Sequence, residues 1–360
     1  MSSTADLLKS LISIPSTSSN LEECNRIVTY VSEYLGSEFE SSLFESNGIS
    51  SALYFSKKYT SNTLFKVILN AHLDVVPGEH DQFIPKEVEG KIFGRGAQDM
   101  KSGAAVLIYV FKSIANTISY PIALQIVTDE ETGGEYGVGH QLSQGIRGEF
   151  VISGESTQLD IVHKAKGIMR VQLRTHGKNA HSAYPWNGVN AIEVMSDYLK
   201  KVKTIFKPVT ENMWDSTLNI ATIETTNTAY NVIPNECSCH LDIRYVKEDL
   251  QRIKKDLQAL QGDDCDVVFE VIEPAHYSEP SSSFIKTLTD SVRSITSQEP
   301  VLRGAHGASD LRHFDEKGMS GVEFGPVGGG LHSNNEWVDL KSLVEYEQIV
   351  EKFLLSLDAK

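Results

Sequence analysis

Along the first part of the chain, short continuous apolar runs alternate with longer helical stretches. Residues 67–70 open a strand that ends in AHLDVVPG, 122–128 (IALQIVT) form a second, and 150–153 (FVIS) a third. Between the first two, 103–115 (GAAVLIYVFKSIA) has the length and composition of a buried helix. Apolar strands without polar alternation, separated by helices, predict a mostly parallel sheet covered on both faces. From about Lys164 the texture changes. IMRVQLRTHG, STLNIATIETT and ECSCHLDIRY alternate like half-exposed strands, a helix fits 189–202, and a polar helix (248–260) precedes another strand (266–272). Strand-helix-strand-strand-helix-strand is the order of a split-βαβ sandwich. Helix-strand-helix texture returns over 284–357 and ends in a strongly periodic helix. The pattern therefore predicts an α/β domain made of residues 1–165 and 278–360, interrupted by an α+β domain at 166–277.

A length of 360 residues, 40% of them hydrophobic and 22% charged, suits two soluble domains. The net charge of −15 repels phosphate backbones, and no Lys/Arg cluster interleaved with aromatics offsets it, so no nucleic-acid partner is expected. The opening MSSTADLLKSLISIPSTS has a broken apolar run and reads as a short helix, not a signal peptide. The longest apolar run, 103–111, falls well short of the ~20 residues a membrane span needs. No membrane association and a cytoplasmic location are expected. Cys24, Cys237, Cys239 and Cys265 suggest no disulfide framework or zinc knuckle, and read as reduced, apolar residues.

The chemistry gathers where the apolar strands stop. His72 and Asp74 follow the first, with spacing that lets the aspartate orient a ligating imidazole. Asp129, Glu130 and Glu131 follow the second, and Glu155 the third. In parallel sheets, ligands collect beyond these carboxyl ends. Asp99 lies in GRGAQDMKSGAA, where glycines at 94, 96 and 103 permit tight turns and close backbone approach. A phosphate-cradling loop is the rival reading there, but the spacing is not Walker-type and an aspartate at the helix mouth repels phosphate. In TDEETGG, two adjacent glutamates on extended backbone would point opposite ways, one free to ligate a cation and the other to act as general base. With His332 in GLHSNNE, the candidate ligands are His72, Asp99, Glu131, Glu155 and His332. This oxygen/nitrogen set without thiolate suits catalytic zinc, cobalt or manganese. It exceeds one open tetrahedral site and fits two metals ~3.5–4 Å apart sharing a carboxylate.

These motifs, together with GKNAHSAYPWNGVNA, NVIPNE, LDIRY and GASDLRHF, resemble in order and spacing the zinc aminoacylase/carboxypeptidase family. That family includes acetylornithine deacetylase, succinyl-diaminopimelate desuccinylase and glutamate carboxypeptidase. The resemblance runs nearly end to end and implies a dinuclear zinc catalytic domain with an inserted lid/dimerisation domain. It implies that His72 and Glu155 hold one of two Zn2+ ions per subunit (Co2+ or Mn2+ being alternatives), that Glu131 and His332 hold the other, and that Asp99 bridges. Asp74 would orient His72, Glu130 would be the general base, and His181 would reach the partner subunit's site in a homodimer to stabilise the oxyanion. Asn231, Arg244, Lys166 and Ser309 match positions that line the substrate pocket. Glu rather than Asp at 155 favours substrates with a free α-carboxylate. The implied substrate is a small N-acyl amino acid or short peptide, and the implied reaction is deacylation. A metallo-carboxypeptidase or dipeptidase of the same family is the nearest alternative, and GPVGGG before His332 is closer to the carboxypeptidase-like relatives. A homologue that binds metal without catalysis is disfavoured, because Glu130, Asp74 and every ligand are present. Gln98 and Ser102 depart from the family pattern without touching a ligand.

Overall fold

The computed structural model describes residues 3–211 and 214–358. The chain forms two compact units, one of Met1–Lys164, Tyr277–Arg303 and Ser309–Lys360, the other of Ala165–His276 with Gly304–Ala308.

In the first unit, the strands Ile122–Val127, Leu64–His72, Arg147–Ser153 and Ser320–Glu323 lie side by side in that order, all parallel. Side chains alternate between two cores, as strand geometry requires. Val67, Leu69 and Ala71 join Ile122, Leu124 and Ile126 on one face, while Ile68 joins Ala123 and Val127 on the other. Each large apolar side chain so buried contributes about 1.5–3 kcal/mol. The mostly parallel sheet expected from the apolar runs is present at the centre, and further strands flank it, among them Ile161–Ala165, antiparallel beside Ser320–Glu323. A hairpin, Phe39–Ser46 with Ile49–Ser56, extends the sheet antiparallel beyond Ile122–Val127. The strand Ser320–Glu323 enters the parallel set from the far end of the sequence.

The helix Lys101–Ile114 packs between the strand Leu64–His72 and the helices Thr4–Ile12 and Leu340–Asp358. Its residues from Lys101 to Ile108 are all buried, which explains an apolar composition with no polar face. Gly103 permits the close fit at its start. A Cβ there would lie 1.7 Å from the backbone oxygen of Gly154, just past the strand Arg147–Ser153. This contact sets the Asp99 loop against Glu155. Because backbone, not a flexible side chain, blocks the space, Gly103→Ala should lower unfolding free energy by roughly 3 kcal/mol, at the upper end for overpacking. Urea denaturation of the two proteins checks it.

The second unit is a four-stranded antiparallel sheet in the order Thr217–Glu224, Glu236–Tyr245, Gly167–His176, Cys265–Glu273. Helices Ala191–Thr204 and Leu250–Gln258 supply Met195, Val202, Ile253 and Leu257 to a core on one sheet face, with Val171, Leu173, Leu241 and Ile243. Cys237, Cys239 and Cys265 are buried in that core as free thiols, and burial pushes Cys239 and Cys265 up to about 11. Among the described residues, no helix is long and apolar enough to cross a membrane.

Candidate metal centre

The parallel strands of the first unit deliver their carboxyl ends to one edge of the sheet, and the acids and histidines stand there. His72 is the last residue of its strand and is 1% exposed. Its Nε2 faces Asp99 Oδ1 at 3.1 Å and Glu155 Oε1 at 3.5 Å. The Nε2 of His332 faces the other Asp99 oxygen, Oδ2, at 3.2 Å and Glu131 Oε1 at 3.5 Å. Two groups result, His72/Asp99/Glu155 and Asp99/Glu131/His332, each with its ligand atoms within 4.8 Å of one another. Asp99 offers one oxygen to each.

Asp74 holds the first strand end against the second. Its carboxylate accepts the main-chain N–H groups of Glu130 and Glu131, both at 3.2 Å, and the Ser18 hydroxyl at 3.0 Å. The Nδ1 of His72 lies 3.0 Å from the Asp74 main-chain oxygen and 3.4 Å from the carboxylate. One geometric expectation needs correcting. Glu130–Thr132 is a turn of 3-10 helix, not extended backbone. Gly133 (φ 117°) and Gly134 (φ 67°) close it in the left-handed region that glycine tolerates. The glutamates still part company, because Glu131 joins the His332 group and Glu130 belongs to neither. His332 itself has left-handed backbone (φ 55°), an uncommon conformation for a non-glycine residue and one that concentrates at functional sites.

Burial and the closeness of the acids to one another both oppose their ionisation. Burial pushes Glu155 up to about 8 and raises Glu130 well above the carboxylate range, with Asp310 and Glu155 adding to the rise at Glu130. Glu131 is raised by burial and then by Asp99. Burial opposes charge on His72, yet Glu155, Asp74 and Asp99 lift it well above the usual imidazole value. His332 is raised by its hydrogen bond to Asp99. Asp99 is lowered against the effect of burial, because His332 and His72 both bond to it. Glu131 Oε1 is buried and accepts no hydrogen bond. Imidazole and carboxylate donors without thiolate, with an unsatisfied buried oxygen among them, fit divalent cations.

The profile of peptidase family M20/M25/M40 matches residues 68–356. The chain belongs to this family. Curated relatives include the succinyl-diaminopimelate desuccinylases of Aliarcobacter butzleri (strain RM4018), 26% identical over 90% of this chain and 92% of that protein, and of Paracoccus denitrificans (strain Pd 1222), 29% identical over 79% and 81%. Among solved structures, a tripeptidase from Staphylococcus aureus superposes with a TM-score of 0.80 at 20% identity, over 99% of this chain and 98% of that one. An M20 family metallo-carboxypeptidase from Sulfolobus solfataricus superposes at 0.76 and 17% identity, covering both chains fully (100%). The M20 family is one of metal-dependent hydrolases, and this member acts on amide or peptide bonds.

Two acids of this M20 chain escaped the reading of the sequence. Glu323 ends the strand Ser320–Glu323, and burial pushes it up to about 7. It carries the same signal as the other strand ends, an acid closing a buried strand, but the strand expected between the helices of 284–357 had no bounds, and SGVE is too short and too rich in small residues to place it. Asp310, in GASDLRHF, is 1% exposed, its carboxylate accepts no hydrogen bond, and burial pushes it up to about 7. Its neighbour Ser309 is also buried, and its backbone oxygen accepts from Arg312.

His181, Asn231, Arg244 and Lys166 belong to the second unit. His181 is exposed in a loop that bridges to Val232, and its Nδ1 accepts from the Ala183 N–H at 3.1 Å. Asn231 is exposed and accepts from the Ser182 N–H through its backbone oxygen at 3.0 Å. Arg244 forks onto Asp242, with Nε 2.8 Å from Oδ1 and Nη2 3.3 Å from Oδ2. Lys166 is buried with its ammonium 5.7 Å from the Trp214 ring, and desolvation lowers its pKa.

Proposed function

We propose that the protein hydrolyses the amide bond of N-acyl amino acids, as a deacetylase or desuccinylase does, with two divalent cations, zinc foremost. The observation that carries this reading is the pair of ligand groups joined through Asp99, with Glu130 held beside them by Asp74. His72 and Glu155 would hold one cation, Glu131 and His332 the other, and Asp99 both. Such cations, when bound, lower the pKa of water and polarise a carbonyl. Glu130 removes the proton of the attacking water and hands it to the leaving amine. The second unit acts as a lid and dimerisation domain. In a homodimer, His181 of that unit donates to the developing oxyanion of the neighbouring site. Arg244 and Asn231 bind the substrate's α-carboxylate, the guanidinium exchanging its fork on Asp242 for one on the substrate. Lys166 and Ser309 line the pocket.

The desuccinylase names of the curated relatives support deacylation, and the tripeptidase and carboxypeptidase neighbours support peptide cleavage as the second reading. The test is a panel of N-acetyl amino acids, N-succinyl amino acids, dipeptides and tripeptides, run on protein reconstituted with zinc, cobalt or manganese. Deacylation predicts a kcat/KM for an N-acyl substrate at least about 10-fold above that for any peptide, a difference of ~1.4 kcal/mol in transition-state binding. The opposite ranking selects the peptidase. Metal-loaded protein that bound these compounds and cleaved none would reject both.

A further inference from the structure

Two segments far apart in sequence present the ligands on which the proposed centre depends. Asp99 ends the loop Gly94–Asp99, and His332 lies in GLHSNNE. Glu336, four residues beyond His332, is 2% exposed. Its Oε2 accepts from the Arg95 guanidinium at 2.8 Å and from the Gly96 N–H at 3.0 Å. Its Oε1 accepts from the N–H groups of Gln98 at 2.8 Å and of Asp99 itself at 3.0 Å. Its own backbone oxygen accepts from the Gly94 N–H at 3.1 Å. One buried carboxylate therefore satisfies the inward donors of nearly the whole Asp99 loop.

Local structure brings it there. The strand Trp337–Asp339 begins at the next residue and pairs antiparallel with Lys91–Phe93, Trp337 opposite Phe93. That pairing sets Glu336 opposite Gly94, at the root of the loop. Gly96, at φ 83°, turns the following amides inward. Gln82 adds a second tie, its side-chain amide donating to the Ser333 backbone oxygen at 3.2 Å, beside His332.

We infer that Glu336 is a positioning residue for the centre, a clamp that fixes Asp99 relative to His332 and so sets the spacing of the two cation groups. The inference rests on the proposed dinuclear reading. Glu336 touches neither ligand atom of Asp99 nor the ring of His332. It acts through the backbone of one segment and its own place in the other. Buried donors of the loop have no water to turn to when the carboxylate is lost, so the loop must move to satisfy them. Asp99 moves with it, and both groups lose geometry together. Partners behind metal ligands that hold them in orientation are worth about 10–100-fold in metal affinity or activity.

Glu336→Gln and Glu336→Ala in the full-length protein test this. Glutamine keeps the shape but turns an NH2 group toward two of the four donors. Zinc affinity is measured by competition with a chromophoric chelator, cobalt geometry by the visible spectrum, and folding by thermal melts in excess chelator. Glu336→Gln should bind both cations about 10–100-fold more weakly and shift the cobalt bands, while its chelated form retains a cooperative melt. Its kcat should fall with KM nearly unchanged. Glu336→Ala should show the larger loss, and should it fail to fold, the glutamine variant alone decides. Glu336→Gln with wild-type zinc affinity and cobalt spectrum overturns the clamp, whatever its melting temperature. Wild-type protein that binds no cation instead overturns the proposed function and the clamp with it, so the two failures are told apart by the wild-type titration.

Discussion

Glu130→Gln, loaded with its full complement of cations, should turn over its best substrate about 10³–10⁴-fold more slowly than the wild-type protein, with little change in KM. This is the upper part of the range a positioned general base supplies. Glutamine preserves the volume and removes only the basicity. Glu130 belongs to neither cation group, so metal content should stay at the wild-type value. Stability should not suffer either. Burial, with Asp310 and Glu155 nearby, raises the Glu130 pKa well above the usual range, which means that the cation-free site destabilises its ionised form. A neutral amide relieves that penalty, so the melting temperature of the chelated protein should hold or rise. The measurements are single-turnover and steady-state kinetics, metal analysis by atomic emission, and thermal melts. Loss of turnover together with loss of cations would make Glu130 a ligand, and undiminished turnover would move the base elsewhere.

The different placement of Glu130 and Glu131 was legible in the sequence, though for a wrong geometric reason. Extended backbone would point neighbours to opposite faces, whereas the structure separates them by a turn of 3-10 helix that TGG terminates. The glycine pair was the available clue. The parallel strands were legible because continuous apolar runs such as IALQIV have no exposed face to mark with polar residues. The hairpin Phe39–Ser46/Ile49–Ser56 was not. FESSLFES is mostly polar, and ISSALYFS hides two buried serines, Ser51 and Ser56, among its apolar positions. A strand was expected between the helices of 284–357, but Ser320–Glu323 could not be located within that range because its burial comes from its neighbours in the sheet and not from its own composition. The clamp at Glu336 could not be read at all. A glutamate in a polar motif looks solvated until the fold brings the amides of residues 96–99 onto it.

Asp99→Ala should do what no other single ligand substitution does and empty both cation groups at once. Asp99 faces His72 through Oδ1 and His332 through Oδ2, and it is the residue common to the two groups. Removing it leaves each group with one imidazole and one carboxylate, too few donors to hold a catalytic cation tightly. His332→Ala or Glu155→Ala removes a ligand from one group only and should leave about one cation per chain in metal analysis. Turnover in Asp99→Ala should fall more than about 10⁴-fold, because it loses the electrophile along with the correct placement of water. Folding should survive, since the cores beneath the sheet do not include the ligand cluster. The clearest readout is therefore linkage. Ligand binding stabilises a fold by RT ln(1 + [L]/Kd), or about 4 kcal/mol at a thousandfold excess over Kd. Zinc should raise the melting temperature of the wild-type protein by several degrees, raise that of His332→Ala by less, and leave that of Asp99→Ala near its chelated value. An Asp99→Ala protein that kept two cations, or gained the wild-type zinc shift, would show two independent sites with no shared carboxylate.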